Sequence, residues 1–168
     1  MGLFIGIDNG KKGGIAIIDE NQQVVVLVPM PLIAVGGKEQ YDISTINKMF
    51  EDLPDPIVYA CLEKAYTMPI NGCKQNFVTG YQFGIMEAVL TSNMISYEVV
   101  SAQTWQKDVF LGQSVEDTKQ ASILFVKKKW PNVDLKMGSK ESDGMSDALC
   151  MALYCLRKNR STNETSTN

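Results

Sequence analysis

Four carboxylates are placed where chemistry could be done. Asp8 closes the apolar run Leu3–Asp8, Glu63 closes a second run, Ile57–Glu63 ("IVYACLE"), and Asp143 and Asp147 stand four apart in "SKESDGMSDALCMALYCL". At 3.6 residues per turn, that last spacing sets both aspartates on one face of a helix, with Asp143 at or near its first turn. Carboxylates gathered in one place raise each other's pKa and cannot all stay ionised without cations. Hard, oxygen-preferring Mg²⁺ or Mn²⁺ suits such a set, and four negative charges would balance two divalent ions. Two such ions about 3.5–4 Å apart stabilise the attacking and leaving oxygens of phosphoryl transfer. Each residue alone also has a plain structural role: Asp8 in a hairpin, Glu63 at a strand edge, Asp143 as an N-cap and Asp147 as a surface acid. The two readings separate on whether three distant segments meet at one edge of one sheet.

Composition narrows the chemistry further. The chain has 168 residues and no histidine, and its cysteines (Cys61, Cys73, Cys150, Cys155) form no CxxC pair. Ser-His-Asp, Cys-His and His-metal sites are thereby excluded, and a zinc site is disfavoured. Acid–base or metal work falls to carboxylates, lysines and tyrosines. The net charge of −3 is not that of a general nucleic-acid binder. Lysines nevertheless cluster at Lys11-Lys12, at Lys127-Lys128-Lys129, at Lys136 with Lys140, and beside Arg157 and Arg160. A solvated surface is the plain reading of each cluster. Hydrophobic residues make up 45% of the chain, enough for one globular domain with a sizeable core. No apolar run is long enough to span a membrane and no signal-peptide pattern is present, so a soluble intracellular protein is expected.

The elements that must hold the carboxylates follow from periodicity and turn residues. Leu3–Asp8, Gly14–Asp19 and Gln23–Val28 read as three strands joined by short turns, an antiparallel meander. Pro29–Gly37 reads as a loop, and Ser44–Leu53 as a helix capped by Ser44 or Thr45. Ile57–Glu63 is apolar throughout, as befits a strand buried on both faces. Met68–Lys74 reads as a loop, Gln75–Asn93 as a long helix, Ile95–Val100 as a fifth strand and Ala102–Leu111 as a short helix. Asp117–Lys129 and Asp143–Arg160 read as the last helices. The expected domain covers residues 1–160, and the tail "STNETSTN" (161–168) has no apolar residue and is expected to be disordered. The order β-β-β-α-β-α-β-α-α describes a five-stranded mixed sheet flanked by helices, the α/β order of the ribonuclease H-like fold. In it the first and fourth strands are parallel neighbours, which sends Asp8 and Glu63 to the same sheet edge.

The ordered set "GIDNGKKGGIAIID", "ACLEKAYTMP", "FVTGYQFGIMEAVL", "VSAQTWQKDVFLG", "DTKQAS" and "KESDGMSDALCMALY" resembles RuvC-like Holliday junction resolvases. The likeness covers about residues 3–158 and is strongest to the chloroplast-type and phage-type members. No single motif is specific; the ordered set is fairly specific. The resemblance implies that Asp8, Glu63, Asp143 and Asp147 are metal-binding catalytic carboxylates holding two Mg²⁺ or Mn²⁺ ions. The chain departs from bacterial members in the three-residue gap between Asp143 and Asp147, and chloroplast-type members can carry a histidine at the position of Asp143. The resemblance further implies a catalytic lysine at Lys119, a four-way DNA junction as substrate, paired symmetric nicks, and residence in the cytoplasm or nucleoid.

DNA would be contacted by lysines around the site, with Lys11, Lys12, Lys64, Lys74, Lys107 and Lys140 as candidates. Tyr66, Met68 and Phe77 fall where the family inserts an apolar wedge into the junction, although a core or patch role suits Met68 and Phe77 as well. Gly80 and Gly84 lie within the long helix, where each costs about 1 kcal/mol relative to alanine. Close approach of a partner helix, as in the homodimers of the family, is one reason for them, and packing on the sheet is another. Other readings remain open: a different ribonuclease H-like nuclease acting on flaps, branched DNA or RNA–DNA hybrids, or a non-catalytic DNA-binding module. A sugar-kinase or actin-like ATPase shares the opening motif but requires a second such domain.

Overall fold

A computed structural model describes residues 2–67, 69–111 and 118–165. Strands β1 (Leu3–Asp8), β2 (Gly14–Asp19) and β3 (Val24–Pro29) form the meander, followed by a hairpin of β4 (Leu32–Val35) and β5 (Lys38–Tyr41). Helix α1 (Ile43–Glu51) leads to β6 (Ile57–Glu63), a 3-10 turn at Pro69–Asn71, α2 (Gly72–Ser92), β7 (Tyr97–Val100) and α3 (Ala102–Val109). Helix α4 (Thr118–Lys129), a short hairpin of β8 (Lys136–Met137) and β9 (Lys140–Glu141), and α5 (Asp143–Thr165) complete the chain. The main sheet has the order β3-β2-β1-β6-β7, antiparallel within the meander and parallel from β1 through β6 to β7. This is the mixed sheet and ribonuclease H-like order that the sequence implies.

Both faces of the sheet are covered, which explains why its central strands are apolar without alternation. On one face Ile5, Ile7, Ile15 and Ile17 pack with Ile46 and Phe50 of α1 and Met86 and Leu90 of α2. On the other, Phe4, Ala16 and Ile18 pack with Trp105 of α3, Val126 of α4 and the long apolar face of α5. Helix α5 is buried almost continuously from Met145 to Leu156. Each leucine there contributes about 1.5–3 kcal/mol by leaving water. Gly6 makes this possible, because a Cβ at that position would stand 2.1 Å from the Ala148 carbonyl oxygen. The backbones of β1 and α5 therefore touch, and the helix start is fixed relative to the strand end.

Several boundaries differ from those read off the sequence, each for a local reason. The segment expected to be a loop at 29–37 holds β4 and the turn into β5. Gly36 and Gly37 both take positive φ, 57° and 75°, as a two-residue hairpin turn of the primed kind requires. Asp42, not Ser44 or Thr45, caps α1, accepting from the Thr45 N–H at 3.1 Å. Helix α2 starts at Gly72 rather than Gln75, and β7 at Tyr97 rather than Ile95. Helix α5 carries on to Thr165, past the expected end at Arg160 and into the segment expected to be disordered. Once a helix is anchored, each added residue gains a hydrogen bond at little further cost. The Ser161 hydroxyl also donates to the Arg157 carbonyl oxygen at 3.1 Å. Met68 and residues 166–168 lie outside the described residues. Among those described, no helix is long and apolar enough to cross a membrane.

Candidate active site

Asp8 leaves β1 beside the end of β6, whose last residue is Glu63, and the parallel register pairs Ile7 with Leu62 one step before. The two carboxylates thus emerge together. Burial pushes the Asp8 carboxyl up to about 9, and Glu63 adds to the rise through its charge and a shared hydrogen bond, with Asp147 and Asp143 contributing less. Asp147 is pushed up to about 7, chiefly by burial and then by the charges of Glu63 and Asp143. The Ser122 hydroxyl opposes that rise in Asp147. That hydroxyl is buried and acts on Asp147 as a hydrogen-bond donor, at a geometry looser than an ordinary hydrogen bond.

The start of α5 is brought to Asp8 by an absent side chain. A Cβ at Gly144 would lie 2.1 Å from the Lys12 carbonyl oxygen and 2.9 Å from Asp8 Oδ2. Only glycine lets the first turn of α5 close on the β1–β2 turn. Ser142 caps that turn, its Oγ accepting from the Met145 N–H at 3.1 Å, and Asp143 Oδ1 accepts from the Gly144 N–H at 3.1 Å. Asp143 is exposed, whereas Asp8, Glu63 and Asp147 are partly covered. The positive end of the helix dipole lies at this carboxylate cluster and favours negative charge there.

Asp8, Asp143 and Asp147 open into a cleft of about 420 Å³, lined also by Asn9, Lys11, Lys12, Gln75 and Gln82. Glu63 does not line this cleft; it is held by Trp105, whose Nε1 donates to Glu63 Oε1 at 3.1 Å. Tyr41, at the end of the β4–β5 hairpin, donates to Asn9 Oδ1 at 3.0 Å, and burial together with the Asp8 charge lifts its hydroxyl above the usual range. Trp105, Tyr41 and Gly144 were not singled out from the sequence. The signals available were the indole in "VSAQTWQKDVF", the aromatic end of "KEQY" and the glycine directly after Asp143.

The other candidates are placed unequally. Lys11 and Lys12 line the cleft, and Lys74 lines a neighbouring groove that also includes Lys11. Lys64 lies with its ammonium 5.6 Å from the Tyr66 ring centroid. Lys64, Lys107 and Lys140 are exposed and line neither the cleft nor the groove. Phe77 is 73% exposed on α2, its ring stacked on Tyr81 with centroids 6.2 Å apart. Lys119 falls in the first turn of α4, and its side chain lies outside the described residues.

The donor set fits hard divalent cations. The carboxylates bring oxygen ligands, the cleft is lined by no thiol, and among the described residues no basic side chain forms an ion pair with them. Asp8, Asp143 and Asp147 share an open cleft, with Glu63 beside Asp8 but not on its lining, and among the described residues no three acids are gathered closely enough to form a coordination shell. Mg²⁺ requires no such shell, since it keeps several waters and takes one or two carboxylates.

Among solved structures, the fold belongs to the ribonuclease H-like α/β class of five-stranded mixed sheets. Within that class it is RuvC-like. A Thermus thermophilus RuvC in complex with a Holliday junction substrate superposes with a TM-score of 0.62 at 11% identity, over 96% of this chain and 98% of that one. A second Thermus thermophilus RuvC structure superposes with a TM-score of 0.56 at 13% identity, over 95% and 97% of the two chains. No protein-family model and no curated protein matches the sequence.

Proposed function

We propose that the protein is a metal-dependent endonuclease that resolves four-way DNA junctions by paired, symmetric nicks. The observation that carries the reading is the meeting of Asp8, Glu63, Asp143 and Asp147 from β1, β6 and α5 at one sheet edge, where burial and mutual repulsion lift Asp8 and Asp147. The RuvC-like fold supports it. Asp8, Glu63, Asp147 and the more exposed Asp143 would hold two Mg²⁺ or Mn²⁺ ions. When bound, such ions supply charge neutralisation and a water nucleophile at neutral pH. Trp105 orients Glu63, and Gly144 lets Asp143 and Asp147 approach Asp8. Lys11 and Lys12, at the rim of the same cleft, contact the phosphates on either side of the cut. Lys64, Lys74, Lys107 and Lys140 extend the contacts outward, and the family resemblance gives Lys119 a place near the phosphate being cut. Water adds in line to phosphorus and the P–O3′ bond breaks, leaving a 5′-phosphate and a 3′-hydroxyl.

Symmetric nicks require two sites facing strands of like polarity, and a two-fold homodimer is the simplest way to provide them. Helix α2 supports this. Phe77, Gly80, Tyr81, Gly84 and Ala88 are all exposed on its outer face, and a Cβ at Gly80 or Gly84 would meet nothing within 4 Å. Packing on the sheet therefore does not account for these glycines. Phe77 at the end of this stripe is the candidate wedge between unstacked bases.

Cleavage of four-way junctions, flaps and RNA–DNA hybrids compared side by side, with Mg²⁺ and with excess EDTA, tests the proposal. Junctions should be cut in preference, and only with the metal. Undiminished cutting in EDTA rejects the mechanism, and a preference for flaps or hybrids rejects the substrate.

A further inference from the structure

Among the described residues, the Ser122 hydroxyl on α4 is the only buried side-chain polar atom without an ordinary hydrogen-bond partner. Ser122 is 1% exposed, and its neighbours Ala121 and Ile123 pack on the core that α5 shares. A hydroxyl shut away among apolar side chains is a cost that needs a reason. Alanine would occupy the same place without it. The group this hydroxyl acts on is the Asp147 carboxyl of α5, the helix beside α4. Asp147 lines the cleft with Asp8 and Asp143, and Ser122 reaches it from α4. Glu63 has a donor in the Trp105 N–H, and Asp143 has one in the Gly144 N–H. Ser122 completes the pattern for Asp147.

We propose that Ser122 is the positioning residue for Asp147 and ties the seating of α4 to cation binding in the cleft. The inference rests on the metal-dependent reading above. A carboxylate that ligates a cation keeps lone pairs for a donor, and bonds to a charged acceptor are shorter and about twice as strong as neutral ones. Cation binding therefore draws the Ser122 hydroxyl, and α4 with it, onto Asp147. Outer donors of this kind set the direction of a ligand carboxylate and the affinity of its site. The effect reaches beyond Asp147, because Lys119 stands three residues earlier, in the first turn of the same helix. A loaded site thus holds in place the helix start that carries this lysine.

The experiment uses the full chain without DNA. Calorimetric titration with Mn²⁺ compares the wild type with Ser122→Ala, Ser122→Thr and Ser122→Val. Ser122→Ala should bind Mn²⁺ about 10-fold more weakly, with a melting temperature unchanged or raised. Threonine and valine have nearly the same shape and differ in the hydroxyl, so Ser122→Thr should bind about 10-fold more tightly than Ser122→Val. Hydrogen exchange in α4 should slow when Mn²⁺ is added to the wild type and should not slow in Ser122→Ala. The proposal is overturned if alanine matches serine, or valine matches threonine, in Mn²⁺ affinity. It is also overturned if Mn²⁺ slows α4 exchange equally in the wild type and Ser122→Ala, or if the wild type binds no Mn²⁺. A wild type that shows these differences yet cuts no junction supports the role of Ser122 and counts against the junction-cutting reading alone.

Discussion

Asp8 carries a cost in the folded protein whenever the site holds no cation. Its carboxyl is raised from 3.8 to about 9, so the neutral form is favoured in the native state. The stability this group contributes is fully present below about pH 4 and is lost as the pH rises through about 9. The Tm of the metal-free protein should therefore fall between about pH 5 and pH 9, with Asp147 adding to the lower part of that window. Mg²⁺ should restore more stability at the alkaline end, because it binds the deprotonated carboxylates. Asp8→Asn should flatten the profile and raise the metal-free Tm near pH 8 by roughly 4–8 °C, or about 2 kcal/mol, while cleavage is lost and junction binding persists. A Tm unchanged by this substitution would remove the strain assigned to Asp8. Trp105 offers a second test, since its N–H reaches Glu63 from a fully buried ring. Trp105→Phe keeps most of the ring and removes the donor. It should lower metal affinity about 10–100-fold, measured by Mn²⁺ titration. Unaltered affinity would make Trp105 a core residue only.

At the scale of elements, the site depends on how closely α5 can approach the β1–β2 turn. Gly144→Ala places a Cβ 2.1 Å from the Lys12 carbonyl oxygen, a backbone atom that cannot swing aside. The expected result is a loss of about 1–3 kcal/mol in stability and a larger loss of activity, because Asp143 and Asp147 move away from Asp8. Denaturant melts and single-turnover cleavage measure the two effects separately. Full activity in a destabilised variant would show that the helix start need not touch Asp8. The sequence placed both strands and the start of the helix correctly, because the strands are apolar throughout and the helix carries a long buried run. It missed β4 and β5, where Val35 and Lys38 flank the Gly36-Gly37 turn and most residues are exposed, so the hydrophobic pattern is weak. The turn chemistry was the better signal there.

For the molecule as a whole, the prediction concerns the exposed face of α2. A side chain at Gly84 has open space, so Gly84→Leu should leave the monomer fold intact and favour its helix by up to about 1 kcal/mol. If that face is the dimer seam, the same change should shift the sedimentation equilibrium toward monomer and weaken symmetric nicking. A dimer left intact by Gly84→Leu would move the seam elsewhere, and a wild-type monomer that still nicks symmetrically would overturn the dimer mechanism itself.

The sequence alone determined the fold class and the edge at which the carboxylates meet. Strand and helix periodicity, with short turns in the meander, leave few topologies, and the parallel pairing of β1 with β6 sets Asp8 beside Glu63. The spacing of Asp143 and Asp147 likewise fixes their common helix face. Only the tertiary structure decided what surrounds those acids. That Gly144 rather than a larger residue meets Asp8, that Trp105 holds Glu63, and that Tyr41 reaches Asn9 from a separate hairpin are contacts between segments far apart in the chain. Local patterns encode which side of an element faces inward; they do not encode which atom of another element it meets, because that depends on packing every element at once.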